Sequence, residues 1–425
     1  MYSKALVALL GGLSLTLAQT TTEENPSVAE IRAAQATTLP HSPVSNVKGK
    51  SFQRFVNIWL ENTDFISAAN ETHLAKLAKK GLELSNFWAV THPSEPNYCA
   101  SAGGDTWGMD NDEFNQLPSN VSTIADMFAT KNIAWGEYQE HLPYPGYQGY
   151  SYSTTDANDY VRKHNPLVLF DSVTEDATSL RQIKNFTSFY EDLEHERLPQ
   201  YMFITPNMTN DGHDTNISFS GTWTWDFLID LLDNEYFTKD TLIMLTFDEN
   251  DTYEIGNKIF TFLLGGAVPQ HLIGTQDPTF YTHYSIIASL SANFGLPSLG
   301  RWDCAANLLS FLAKKVGYVN YDVNTSNLYL NQSYDGPMAA GDYSQKNSIW
   351  PVPVTEGECS GGHGILDVVK KTWGGLEARS GYAGSPVPFD KGSGIGTGIE
   401  YQRTLKNGKV EKHVTGKSSG TCNNY

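Results

Sequence analysis

The chain has 425 residues, enough for one large core or two modest ones. It carries 47 acidic against 29 basic side chains, a formal charge of −18 at pH 7. That balance speaks against nucleic acid as a partner, since a phosphate backbone needs basic surface, and it suits solubility outside the cell.

In chain order, Met1-Tyr2-Ser3-Lys4, an apolar run over residues 5–17 and Ala18-Gln19 read as a secretory signal peptide over residues 1–18. The run is too short for a membrane span, and no later stretch or C-terminal tail suggests membrane insertion or a lipid anchor. A secreted chain, extracellular or held at a cell wall, is therefore expected. Secretion makes the four cysteines candidates for two disulfides. Chain order favours Cys359 with Cys422 and Cys99 with Cys304; the alternative leaves Cys99 as a buried free thiol. Eight Asn-X-Ser/Thr triplets fit the same compartment. N-linked glycans are expected on several of Asn70, Asn120, Asn185, Asn216, Asn324 and Asn331, with Asn207 and Asn250 bare beside active-site motifs.

Residues 19–50 are polar and without periodicity, and read as an extended arm. Phe55-Val56-Asn57-Ile58-Trp59-Leu60 reads as a buried strand that ends abruptly at Glu61-Asn62. A helix is expected over residues 71–80, with Leu74 and Leu77 inward and Gly81 as its stop. An apolar strand-like run over residues 82–88 leads into Thr91-His92-Pro93-Ser94-Glu95-Pro96-Asn97-Tyr98. Strand, tight turn and helix follow one another there, with two prolines pinning the backbone around Ser94. A hydroxyl beside a helix N-terminus suits attack on a phosphate, and Asn97 would have its amide free to donate to a phosphoryl oxygen. The plainer reading is an ordinary polar loop with a serine cap.

Further on, residues 121–130 read as a helix capped by Ser119 or Asn120, and residues 133–138 as a strand. The Tyr-, Gly- and Pro-rich residues 141–159 read as a long loop over the site, delivering Lys163-His164-Asn165-Pro166. Strands are expected over residues 201–205, 241–247 and 259–264, and helices over 222–232, 284–292 and 305–314. The second of these strands ends at Asp248-Glu249, and the first leads to Asn210-Asp211-Gly212-His213-Asp214. Strands alternating with helices imply an α/β fold with a mostly parallel central sheet covered on both faces. The expected division is a catalytic domain over residues 51–315 and a loop-rich extension over 316–425 packed on it.

Four polar clusters thus follow strands: Glu61-Asn62, Ser94 to Asn97, Asp211 to Asp214 and Asp248-Glu249. Parallel strands gather them at one sheet edge, where hard oxygen ligands hold a divalent cation. Such a cation would activate the Ser94 hydroxyl for in-line attack on phosphorus, giving a phosphoseryl intermediate that water then hydrolyses.

The Ser94-Glu95-Pro96-Asn97-Tyr98 segment resembles the nucleophile segment of the alkaline phosphatase superfamily. With Thr91-His92-Pro93 it resembles more closely the fungal acid phosphatases of the phospholipase C-like phosphoesterase family. That resemblance implies Glu61, Asn62, Ser94, Asp248 and Glu249 as metal ligands. It implies His213 as proton donor or ligand, and Lys163, His164, Asn97 and Asp211 around the phosphate. His92 and His283 are weaker candidates for supporting roles. Asp248-Glu249 departs from the Asp-His pair of two-zinc relatives, which leaves the metal's identity and number open. The function implied is a secreted acid phosphatase acting on small phosphate monoesters, serving phosphate scavenging. The alternatives are a phosphodiesterase or phospholipase C with the same centre, and a non-catalytic secreted glycoprotein.

Overall fold

The computed structural model describes residues 25–154, 159–340, 349–376, 382–390 and 398–415. Residues 1–18, expected to be a signal peptide, and Cys422 lie outside them. The centre is an eight-stranded sheet in the spatial order Thr275–Asp277, Leu82–Leu84, Phe262–Leu264, Thr241–Phe247, Arg54–Leu60, Tyr201–Thr205, Trp135–Gln139 and Ile183–Asn185. Only Phe262–Leu264 runs against the other seven. Thr241–Phe247 and Tyr201–Thr205 are buried at every position, which is why they read as unbroken apolar runs rather than alternating ones. Their register against Arg54–Leu60 pairs Leu60 with Phe247 and Ile58 with Ile204, so the chain leaves these strands at one edge.

Several elements differ in extent from the sequence expectation. The run over 82–88 is two strands: Leu82–Leu84 joins the central sheet, while Phe87–Trp88 pairs with Lys258–Ile259 and Tyr281–Thr282 in a separate three-stranded sheet. Ser94 therefore does not follow a strand of the main sheet. The strand expected over 259–264 is split in the same way. The helix at 71–80 is Thr72–Ala78, with Leu74 and Leu77 fully buried; Glu71 caps it and Lys79 ends it. The helix at 121–130 begins at Ile124, because Thr123 and Asp126 form a capping box there. The helices at 222–232 and 284–292 are longer, Ile217–Asp233 and His283–Phe294, whereas the one at 305–314 is reduced to Ser310–Val316. The arm is not wholly extended: Val28–Thr37 is a helix opened by a Ser27–Glu30 capping box. The 141–159 loop contains the strand Ser151–Tyr152, paired with Tyr160–Val161.

The favoured cysteine pairing is corrected, and the alternative for Cys99 is the one observed. Cys304 is bonded to Cys359, and Cys99 is a buried free thiol. Cys99 sits within the helix Ser94–Gly103, every residue of which is buried, and has no bonded partner among the described residues. No helix among the described residues is long and apolar enough to cross a membrane. Of the two sequons expected to be bare, Asn207 and Asn250 are buried, and the Asn250 amide donates to Thr252 O at 2.8 Å.

Candidate active site

Three backbone ties draw the strand ends together. Glu61 N donates to Asp211 O at 3.0 Å, Asp248 N to Leu60 O at 3.1 Å and Thr63 N to Glu249 O at 3.4 Å. The helix Ser94–Gly103 brings its first residue against this edge and is closed by Gly104 in the left-handed conformation at φ +82°. Ser94 Oγ then lies 3.2 Å from Glu249 Oε1, 3.3 Å from Glu61 Oε2 and 3.4 Å from Asn62 Oδ1. A hydroxyl has one proton, so it can donate to only one of these three acceptors at a time.

Four carboxyl groups, Glu61, Asp211, Asp248 and Glu249, are buried here. Burial raises the pKa of each, and for Glu61, Asp248 and Asp211 the neighbouring carboxylates raise it further. Asp248 has no well-formed hydrogen bond to either oxygen, though Ser94 and the Glu249 backbone N–H approach closely enough to oppose the rise in its pKa. Asp211 Oδ2 and His164 Nε2 are likewise without a well-formed hydrogen bond. Buried polar groups are ordinarily satisfied, so this set lacks something positive. Glu61, His164 and Asp211 each offer a ligand atom within 4.8 Å of the others. His164 Nε2 is 3.4 Å from Glu61 Oε1, and His164 Nδ1 is 3.4 Å from Asp211 Oδ2. Oxygen donors plus one imidazole suit a divalent cation, so the residues present fit one.

The remaining expected residues fall into three groups. Lys163 and His213 stand together at the more open side: Lys163 Nζ reaches Asp112 Oδ2 at 3.0 Å and His213 Nε2 at 3.3 Å. His213 Nδ1 is 2.9 Å from Asp214 Oδ1, and its backbone N donates to Asp211 Oδ1 at 2.8 Å. His92 lies under the centre, with Nδ1 2.5 Å from Glu249 Oε2 and Nε2 3.1 Å from Asn250 Oδ1. Burial pushes its pKa down to about 4. His283 meets the Asp248 main chain: Nε2 donates to the backbone O of Asp248 at 2.7 Å, and burial lowers its pKa to about 3. It props the Asp248 backbone.

Asn97, expected to have its amide free for a phosphoryl oxygen, divides that amide between its own turn and Glu249. Its Oδ1 accepts from Val90 N at 3.0 Å and Thr91 N at 3.3 Å, and its Nδ2 donates to Thr91 O at 2.9 Å and Pro93 O at 3.2 Å. Nδ2 also lies 3.4 Å from Glu249 Oε2, so the amide both shapes the turn before Ser94 and faces the carboxyl cluster.

Sequence reasoning passed over Tyr98 and Asp112. Tyr98 donates a short hydrogen bond to Glu61 Oε1 and stacks on His164 with ring centroids 5.1 Å apart. Its place four residues after Ser94 puts it on the same helix face, which was a usable clue. Asp112 joins the site from a loop, accepting from Glu95 N at 2.9 Å as well as from Lys163. No local pattern marks it.

Residues 47–297 match the model of the Phosphoesterase family. An acid phosphatase from Aspergillus niger is 72% identical over 413 residues, covering 97% of this chain and 99% of its own. A phosphate-repressible acid phosphatase from Penicillium chrysogenum is 65% identical over 402 residues, covering 95% and 97%. A phosphatidylinositol-3-phosphatase from Mycobacterium tuberculosis is 31% identical over 227 residues, covering 53% of this chain and 70% of its own.

Proposed function

This chain belongs to the phosphoesterase family and is an acid phosphatase, and on that premise we propose that it hydrolyses phosphate monoesters through Ser94 as the attacking group. The observation that carries the reading is the Ser94 hydroxyl, held within 3.4 Å of acceptor oxygens from Glu61, Asn62 and Glu249. Attack forms the bond from Oγ to phosphorus and breaks the bond to the ester oxygen, with Glu249 or Glu61 within reach of the serine proton. The departing oxygen takes a proton from His213, and Lys163 neutralises charge on the phosphoryl group. Water then cleaves the phosphoseryl bond in a second displacement. A bound divalent cation supplies Lewis-acid activation of the hydroxyl and charge neutralisation at phosphorus. Glu61, Asn62, Ser94, Asp248 and Glu249 would hold it, with His164 and Asp211 beside them.

In the same reading the enzyme is secreted and serves phosphate scavenging. The signal-like N-terminus, the sequons and the Cys304–Cys359 bond support an oxidising compartment. The likeness to a relative named as phosphate-repressible supports the role.

The test is Ser94→Ala beside wild type, at about pH 5, with a chromogenic phosphomonoester and with or without a chelator. A folded variant should lose at least about 10³-fold in kcat, as removal of a nucleophile does elsewhere. Near-full activity in that variant would make water the attacking group and sink the serine assignment.

A further inference from the structure

Asn257 is fully buried, and every polar group it owns is in use. Its Oδ1 accepts from Asn250 N at 2.9 Å, and its Nδ2 donates to Thr91 O at 2.8 Å and to Leu330 O at 3.0 Å. Its backbone N donates to Tyr329 O at 2.8 Å, and its backbone O accepts from Ala89 N at 3.0 Å. One residue therefore joins three segments: the turn before Ser94, the end of the Asp248-Glu249-Asn250 run, and a strap from the C-terminal part of the chain. A second tie runs beside it, from His92 Nε2 to Asn250 Oδ1 at 3.1 Å.

The strap is held against its own backbone preference. Leu330 has φ +55°, the left-handed region that a bulky side chain enters only at a cost. Such conformations persist where the surroundings over-determine them, and they cluster at functional sites. Here Asp390 accepts from Leu330 N at 3.0 Å and Tyr329 N at 3.1 Å. The Leu330 side chain is buried in a small cluster with Trp88, Phe280, Leu328 and Val387. Asn331 Nδ2 donates to Ile255 O at 2.8 Å and to Tyr253 O, clamping the loop between Asn250 and Asn257. Even Gly256 is fitted to it, since a Cβ there would stand 2.8 Å from Leu328 O.

We propose that Asn257 is a positioning residue of the phosphatase reaction, and that through it the strap over residues 328–331 sets the distance between Ser94 and the Asp248–Asn250 segment. This rests on the Ser94 reading above. Asn257 touches no reacting atom. It fixes two backbone groups, Thr91 O in the turn leading to Ser94 and Asn250 N next to Glu249, whose carboxylate lies 3.2 Å from the Ser94 hydroxyl. Misplacement by about 1 Å at a reacting centre costs roughly 10²-fold in rate.

The experiment compares wild type, Asn257→Ala and Asp390→Asn with a chromogenic phosphomonoester and with inorganic phosphate as inhibitor. Asp390→Asn keeps the side chain's size while weakening its grip on the strap, and it carries the test if Asn257→Ala does not fold. Folded variants should lose about 10- to 100-fold in kcat. KM and the inhibition constant of phosphate should stay within about threefold, because ground-state binding does not need the exact spacing. Variants that melt earlier but keep kcat within about twofold would overturn the inference, since a merely structural role moves stability alone. An active Ser94→Ala removes the premise and overturns it by a separate route.

Discussion

Lys163 Nζ lies 3.3 Å from His213 Nε2, while the other nitrogen of that ring is 2.9 Å from Asp214 Oδ1. Asp214 can only accept, so it holds a proton on Nδ1, and the neutral ring accepts from Lys163 at Nε2. Burial alone would lower the Lys163 pKa, but Asp112, Glu61 and Asp248 raise it above its ordinary value. Lys163 thus remains a fixed cation. To protonate the departing oxygen, His213 must first carry a second proton, on Nε2, and so give up the bond from Lys163 that the neutral ring accepts there.

His213→Ala should therefore cost about 10²- to 10⁴-fold in kcat on alkyl phosphates, whose leaving oxygens need protonation. On aryl phosphates with acidic leaving groups the loss should be much smaller. Steady-state rates on one substrate of each kind decide it, and equal losses on both would remove His213 from the donor role.

Asp248 is a buried carboxylate with no well-formed hydrogen bond to either oxygen; burial and Glu249 raise its pKa, and the nearby Ser94 hydroxyl and Glu249 backbone N–H only partly offset this. Asp248→Asn should bind less divalent metal and lose most activity, yet in chelator it should melt higher than wild type. Relieving an unsatisfied buried group is worth about 1–3 kcal/mol. Metal per mole of protein by mass spectrometry, with melts in chelator, reads both effects; full metal content in the variant would rule out Asp248 as a ligand.

Glu137 is buried inside the sheet, with Oε1 accepting from Leu167 N at 3.1 Å and Oε2 without a partner. Burial raises its pKa from 4.5 to about 8. The folded-state value is the higher one, so this contribution to stability is full below about pH 4.5 and declines as pH rises towards about 8. The slope is up to about 1.4 kcal/mol per pH unit within that window. Denaturant melts of wild type and Glu137→Gln across it should converge at low pH and diverge at neutral pH, with the variant more stable. Parallel curves would mean that Glu137 ionises without cost.

Cys304 and Cys359 close a loop across a sequence separation of 55 residues. Replacing both with alanine should cost about 2–4 kcal/mol of stability. Ser360 softens the loss, because its N and Oγ still bond to Cys304 O and Ala306 O at 2.7 and 2.6 Å. Peptide mapping of the oxidised protein should recover the Cys304–Cys359 link; a Cys99–Cys304 link instead would contradict the pairing.

The sequence by itself determined where the central strands run and where they end. A strand buried on both faces is mainly apolar, so Tyr201–Thr205 and Thr241–Phe247 stand out without any partner in view, whereas Trp135–Gln139, which buries Glu137, is less plain. The alternation of such strands with helices then gave a parallel sheet, and Glu61 and Asp248-Glu249 followed as groups at its edge. Only the tertiary structure decided how side chains were spent. An asparagine amide looks the same in sequence whether it is free or, as at Asn97, shared between its own turn and a neighbouring carboxylate. Cysteine pairing depends on which ends of the chain meet, and chain order pointed the wrong way. The strap at Leu330 and its grip on Asn257 join positions 73 residues apart through buried hydrogen bonds, which leave no local periodicity to read.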